Sequence, residues 1–407
     1  EIFLMITKSI SLFGKELIRV ERNRAGQFSY SFLDGGNTFA YSNEYLKASL
    51  ENPVLMTIVA LRARLYSQMD IKHLNSKGEV IENSPYVKLL SLPNYFQSKE
   101  DFFFQQMWFL SASGTDFIYQ IKAFTNDVPK ALYNLIPSDI ELNNAHKVNK
   151  FIVTDKDKKA FGERQIKYTL DDAVYDLKLS ELIPLYDLSN GLTNNSFFQS
   201  QSRVKGISKI LSNIDENLKS KNINLQMSQK YLSKNESNGN EAQIQDADRT
   251  SIERKLDNKN LIVTNANIDV NHLVSNMKQL YLDEQFADDA NKCLLAFEMN
   301  KNVLNFFAKD STFDNQSQGI ISYIQNSIQT TAKNTMNSLS QQWGLIEKGE
   351  KLVASYDHLA VMQPVVNDKI ASFTEMQNAI KIAIENGVMD IPTAKKMSDE
   401  FKLKLGL

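Results

Sequence analysis

Apolar residues fall at helical spacing in some parts of this chain and at strand spacing in others. Val54, Ile58, Leu61 and Leu65 share one face of a helix predicted from Pro53 to about Met69, with Glu51 or Asn52 as its cap. Ile71, Lys72, His73 and Leu74 alternate as a strand does, and Ser76, Lys77 and Gly78 turn it. A short helix over 87–92 stops at Pro93 and Asn94. Ser98, with Asp101 three residues on, opens a helix through Phe104, Trp108 and Leu110 that Gly114 ends. Strands are predicted at 117–121 and near 131–136, 140–143, 150–154, 166–169 and 182–187.

Beyond a polar Asn/Ser/Gln stretch at 190–202, the pattern is mostly helical. Ile207, Leu211, Ile214, Leu218 and Leu225 stripe a helix over 203–232. A polar loop, a short helix near 246–256 and two strand-like runs at 261–263 and 268–270 follow. A second long helix is predicted over 276–298, and a third over 318–343 with the stripe Ile320, Ile324, Ile328, Thr335, Leu339 and Trp343. The C-terminal part reads as a strand and turn over 351–362, then a helix opened by Ser372 and Glu375. Gly387 stops that helix, and a last one starts at Pro392 with Asp390 as cap.

Proline placement supports this division. Five of the eight prolines precede residue 140, and none lies between Pro184 and Pro364, as long helices require. The fold class is α+β, with an α+β first half and a largely helical second half.

Charge narrows the function. The 407 residues carry 46 Lys and Arg against 48 Asp and Glu, a net charge of −2, without the basic excess of a dedicated polyanion binder. Locally the balance is lopsided. The first long helix carries Arg203, Lys205, Lys209, Lys219, Lys221 and Lys230 against Asp215 and Glu216. The second carries Asp283, Glu284, Asp288, Asp289 and Glu298 against Lys278 and Lys292. Two helices of opposite sign around a small α/β insert suggest a helical hairpin with a tip domain; each charge set reads equally as a solvated face. The third helix is unusual in another way: between Gln316 and Leu345 the only charge is Lys333. Its polar face is Gln325, Asn326, Gln329, Thr330, Asn334, Asn337 and Gln341. Ordinary surface helices carry several charges. This one suits a crowded place, between ring subunits or along a channel, or else the inside of a domain.

Motifs for catalysis are mostly missing. The chain has no phosphate loop, dinucleotide turn or nucleophile elbow. One cysteine, Cys293, excludes an intramolecular disulfide and a thiolate zinc cluster, and beside Ala290, Leu294 and Phe297 it reads as buried and inert. The four histidines are far apart, although Asp269 and His272 could meet across a turn. Adjacent carboxylates such as Asp171–Asp172 and Asp288–Asp289 point about 100° apart on a helix, so neither pair alone makes a metal site. No cofactor is expected. No run reaches the ~20 apolar residues of a membrane span, and no basic stretch precedes the apolar residues 2–6 as in a signal peptide. The chain opens on Glu1 rather than Met, and an intracellular compartment is the default expectation.

Several of these pieces, in this order, resemble the portal proteins of tailed bacteriophages, the HK97-like head–tail connectors. The helix from Asn52-Pro53-Val54 to Arg64 resembles that family's opening helix, which leads into a strand. Leu89-Leu90-Ser91-Leu92-Pro93-Asn94, the helix from Phe102 to Gly114 and the strand 117–121 are similar to its next signature. Leu135-Ile136-Pro137-Ser138-Asp139-Ile140 resembles another step, and Ser202 to Ile207 stands where the family has a turn opening a long helix. The family's first glycine of that turn is missing here. Phe297-Glu298-Met299-Asn300 also lacks the proline the family often has after the second long helix.

The resemblance implies a portal-type fold: a wing over 1–200, stem helices over 201–232 and 276–298, and a clip insert over 233–275. It also implies a tunnel loop over 299–318, a long channel helix returning to the wing over 319–363, and a crown over 364–407. Tunnel-loop residues facing a DNA channel would be Lys301, Asn302, Lys309, Asp310, Asn315 and Gln316. Stem or inter-subunit contacts would be Lys205, Lys209, Asp283, Glu284, Asp288 and Asp289, the opposite charges pairing within or between subunits. The implied protein is a non-enzymatic ring of about twelve subunits at one capsid vertex, in the host cytoplasm during assembly and then in the virion. Its partners would be double-stranded DNA, the terminase large subunit, neck or adaptor proteins, and the major capsid protein or a scaffold, with no membrane. The other readings are a metal-dependent hydrolase using the Asp-rich helix 283–289, and a virion scaffold or adaptor that binds only protein.

Overall fold

The computed structural model describes residues 8–12, 15–22, 28–31, 43–122, 128–141, 152–170, 173–188, 200–227, 282–304 and 313–405. It divides into two compact units, the first formed by 1–38, 52–55 and 206–296 and the second by 39–51, 56–205 and 297–407.

In the first unit, β1 (Lys8–Leu12), β2 (Lys15–Arg22) and β3 (Phe28–Ser31) form an antiparallel sheet in that order. Asn52 is the cap of the helix that follows it: its side-chain oxygen accepts the amides of Val54 and Leu55 at 3.1 Å each. Its side-chain NH2 donates to Asp215 Oδ1 at 2.9 Å. Asp215 lies on α7 (Ser208–Met227), which packs on α8 (Leu282–Ala296). Ile207, Leu211 and Ile214 are buried, as are Ala290, Cys293 and Leu294. Next on α7, Asn217 turns inward while Leu218 is 37% exposed, so the stripe leaves the expected track by one residue. Burial pushes the Cys293 thiol up to about 12, so it is inert at neutral pH.

The second unit opens with α1 (Asn43–Glu51), which the hydrophobic pattern did not predict. The helix α2 (Pro53–Ser67) enters it from Met56. Here Ile58, Val59, Arg62 and Tyr66 are fully buried, while the expected Leu61 and Leu65 are only half-buried. β4 (Asp70–Leu74), α3 (Pro85–Ser91) and α4 (Lys99–Ser113) follow. The Ser98–Asp101 capping box is formed, Ser98 Oγ accepting the Asp101 amide at 3.1 Å. Gly114 ends α4 in the left-handed region at φ 77°.

β5 (Thr115–Ile121) pairs with β6 (Ala131–Leu135) and with β10 (Leu182–Tyr186), both antiparallel. A second sheet joins β7 (Ile140–Glu141), β8 (Gln165–Leu170) and β9 (Ala173–Lys178), with α5 (Asp155–Gly162) preceding β8. Phe117, Leu135, Ile140, Ile166, Tyr168, Leu177 and Leu182 from both sheets make one core. The strand expected near 150–154 is not formed over the described residues 152–154; Thr154 instead caps α5.

The chain then enters α6 (Arg203–Gly206), which the structure separates from α7 where one helix was expected. The third long helix starts earlier than the pattern indicated. It runs as α9 (Phe313–Tyr323), a single π turn over Ile324–Ile328 and α10 (Gln329–Gln342). Every stripe residue from Ile324 to Trp343 is buried. The Tyr66 hydroxyl lies 2.7 Å from both Gln106 Oε1 and Thr335 Oγ1, tying α2, α4 and α10 together. Trp343 stacks on Tyr86 at 5.2 Å and donates to Gln120 Oε1 at 3.2 Å. β11 (Lys351–Ser355) then returns to pair with β4.

The C-terminal helix begins at Gln363, not Ser372. It is α11 (Gln363–Glu385), with Pro364 in its first turn, and α12 (Ile391–Leu405) follows Gly387. The expected Ser372 cap lies in mid-helix, where the Thr374 hydroxyl bonds back to the Ile370 carbonyl at 2.8 Å.

Gly114 offers a direct test of this packing. A Cβ there would meet the Gln201 carbonyl oxygen at 2.4 Å, at a φ that L residues adopt with strain. Gly114→Ala should therefore lower unfolding free energy by roughly 2–4 kcal/mol, read as a lower denaturation midpoint at unchanged slope. An unchanged midpoint would show that the 200–203 segment does not pass there.

Candidate functional site

The sequence singles out two surfaces: the uncharged polar helix face and the turn that precedes it. The turn begins where α8 ends. Phe297 is buried, and Glu298 takes φ 61°, a left-handed conformation uncommon for a non-glycine residue. This turns the chain out of the helix two residues before the expected end at 298.

Around that exit lies a buried charged cluster that the sequence reading missed. Arg62, from α2, and Asp187, just after β10, have fully buried side chains and form an ion pair. Both terminal nitrogens of the Arg62 guanidinium engage the carboxylate, and Nη1 also reaches Ser111 Oγ at 3.3 Å. Arg203, opening α6, bonds the same carboxylate through Nε and donates through Nη2 to Glu298 Oε1 at 2.9 Å. The Asp187 amide donates to the Gly114 carbonyl at 3.0 Å, which fixes the carboxylate by its own backbone. The Arg62 guanidinium also lies 5.8 Å from the Phe297 ring centroid.

Burial alone would raise the Asp187 carboxyl, but the flanking Arg62 and Arg203 guanidiniums outweigh it and hold it below the usual aspartate value. Glu298 behaves likewise: burial opposes its ionised form, while Ser327 and Arg203 overcome that and lower it. Burial holds the Tyr323 phenol up at about 12, so it stays neutral beside these charges. One signal for the cluster was present. Arg62 sits four residues after Ile58, on the apolar face of its helix.

The turn after α8 is set against α9. The amide of Asn302 donates to Asn300 Oδ1 at 3.2 Å, and that of Val303 donates to the Asn300 carbonyl at 2.9 Å. Gly319 of α9 packs on this turn; a Cβ there would lie 3.2 Å from that of Asn302. Lys301 is exposed and Asn302 half-buried. Lys309 and Asp310 lie outside the described residues. Asn315 and Gln316 were expected in the loop, but they stand in the opening turns of α9. Further along, Ser322, Gln325, Asn326, Thr330, Asn334, Asn337 and Gln341 are exposed, with Lys333 the charged residue among them. Asn326 and Thr330 are hydrogen-bonded within the helix, to Ser322 Oγ and to the Asn326 carbonyl, both at 3.1 Å.

The residues expected in the two charged helices are only partly brought together. Lys205 on α6, Lys209 on α7, and Glu284 and Asp288 on α8 are exposed. Asp283 lies in the first turn of α8, with its side chain outside the description. Asp288 and Asp289 pair with Lys292 of their own helix, at 2.7 and 3.1 Å. Arg203–Glu298 is one link between the basic and acidic sets. The insert 233–275, with Asp269 and His272, and the Asp171–Asp172 pair lie outside the described residues. Among the described residues no group of three or more His, Cys, Asp or Glu could hold a metal ion, and no helix is long and apolar enough to cross a membrane.

The sequence matches no family model and no curated protein. Solved structures do match. A chain from the neck of an empty gene transfer agent particle, computed with C6 symmetry, is 14% identical at a TM-score of 0.62, covering 91% of this chain and 94% of that one. A chain from the neck of the native particle, computed with C12 symmetry, is 13% identical at 0.59, covering 90% and 93%. An HK97-family phage portal protein from Corynebacterium diphtheriae is 8% identical at 0.51, covering 78% and 95%. The chain is an α+β protein with a portal-type fold.

The charged cluster should be sensitive to the loss of any one member. Asp187→Asn leaves two guanidiniums facing a neutral amide and should cost about 3–5 kcal/mol at neutral pH. The sign with pH follows from the lowered carboxyl. Its contribution is full above the ordinary aspartate range and is lost as pH falls through its own depressed value. Urea denaturation across the acid range should show this slope in the natural chain and a smaller one in the variant. Equal midpoints at neutral pH would remove the claim.

Proposed function

We propose that this chain is a phage portal protein. Copies of it form a ring-shaped channel at one capsid vertex, through which double-stranded DNA enters during packaging and leaves on infection. The observation that carries this reading is the face of α9 and α10. From Gln316 onward it is long and polar, exposed at Gln325, Asn326, Thr330, Asn334 and Asn337, with Lys333 the one charge up to Leu345, on a helix whose opposite face is locked into the core.

A channel that moves DNA must not hold it. Each phosphate neutralised by Lys or Arg adds salt-dependent affinity, and a ring multiplies every such contact by its subunit number. Amide and hydroxyl groups offer exchangeable hydrogen bonds without a fixed charge. Structurally similar chains come from particle necks computed with C6 and C12 symmetry, and the C12 case supports a ring of twelve copies. The role is structural, with the motor ATPase a separate chain. The 233–275 insert is the docking element for the terminase large subunit and later for neck or adaptor proteins. The wing side meets the capsid protein or a scaffold. The chain works in the virion after assembly in the host cytoplasm. Nothing in the described structure favours the hydrolase reading: Lys292 lies against both Asp288 and Asp289, where a cation would have to sit.

Assembled rings carrying Gln325→Lys and Asn334→Lys should retain double-stranded DNA more tightly at low salt. The log–log salt slope should steepen by about 0.9 for each phosphate newly contacted, measured by filter binding. An unchanged slope would place this face away from DNA. Deleting 233–275 should leave a folded second unit by circular dichroism but abolish motor docking in pull-down; unchanged docking would refute the assignment.

A further inference from the structure

The turn between α3 and α4 leaves large apolar groups in water. Tyr95 is 91% exposed, Phe96 80% and Leu92 68%. The two rings meet edge to face, with centroids 5.3 Å apart and planes at 89°. This display is held in place. Asn94 is 5% exposed, and its Oδ1 accepts the amides of Phe96 and Gln97 at 2.9 and 3.0 Å. Its NH2 donates to the Leu132 carbonyl at 2.9 Å and to Gln97 Oε1 at 2.8 Å. The Leu132 amide returns to the Pro93 carbonyl at 2.8 Å, and Ser98 then caps α4. A buried asparagine thus fixes the backbone of the turn that presents the two rings.

The geometry points to Tyr95 and Phe96 as the anchor by which one copy of this chain grips the next, an inference that rests on the ring reading above. A ring closes through heterologous contacts, so anchor and socket are two different patches of the same chain. The second unit carries a matching apolar patch on one face of the β8–β9 hairpin: Leu170, at the end of β8, and Tyr175, on the edge strand β9, each 49% exposed and placed on the same face by the pairing of Leu170 with Ala173. Size also fits this occupant. Two aromatic side chains offer roughly 150–250 Å² each, against about 800 Å² per partner in a stable interface. The pair is therefore large enough for the centre of an extensive interface and too small to be one alone. Rigid aromatic residues are the usual hot spots of such contacts.

The test uses the full chain. The double variant Tyr95→Ser, Phe96→Ser should keep the thermal midpoint of the subunit, because neither ring is part of the core. Its ring fraction in native mass spectrometry should fall at least tenfold at the concentration where the natural chain is closed. In a second sample, p-benzoylphenylalanine replaces Phe96 and is photo-activated in assembled rings. It should give covalent dimers whose linked peptide lies in 165–178. Unchanged ring formation by the double variant, or a crosslink to any other segment or protein, overturns the inference while leaving the ring reading standing. A natural chain that forms no rings under any condition sinks the ring reading itself, and this inference with it.

Discussion

The structure depends on one buried carboxylate held between two guanidiniums. Asp187 follows a core strand and is tied by its amide to Gly114; it faces Arg62 from a core helix and Arg203 at the start of α6. Arg203 then reaches Glu298, the residue at which the chain comes back from α8. Departure and return of the segment 204–297 are thereby closed by charge at one point. Such a cluster contributes position more than net stability, because desolvation offsets most of the Coulomb attraction. Removing one member leaves a buried charge uncompensated, which is why the whole arrangement hangs on it.

Local signals in the sequence were legible wherever the local chemistry decides the structure. Ser98 with Asp101 and the positive φ of Gly114 bound α4 as the residues require, and the stripe from Ile324 to Trp343 is buried. Signals failed where tertiary context decides. β9 shows no alternation because Ala173, Val174, Tyr175 and Asp176 are all exposed on an edge strand. Ser372 and Glu375 have the spacing of a cap but sit in a helix that Gln363 and Pro364 had already begun. The charged cluster was hidden for the same reason. An arginine on an apolar face is interpretable only once its partner, 125 residues away, is known.

The sparsely charged helix face was the most legible feature, because a single charge between Gln316 and Leu345 is a property of composition rather than of packing. Which residues of the expected loop share that surface was less legible. Lys301 and Asn302 lie in a turn packed on Gly319, and Asn315 and Gln316 belong to the helix. The helix is tied to the core by Thr335, Trp343 and Ser340, so its exposed face is presented by a fixed support. Under the proposed function, this face would be a repeated, weakly interacting wall for a polyanion that must slide.

The most direct test is a cryo-electron microscopy reconstruction of the purified chain. The account predicts a closed ring of twelve copies, as in the C12 relative, with Gln325, Thr330 and Asn334 lining a central hole wide enough for duplex DNA. A ring in which that helix face is buried between subunits or points outward would contradict it, as would a chain that stays monomeric with scaffold protein supplied.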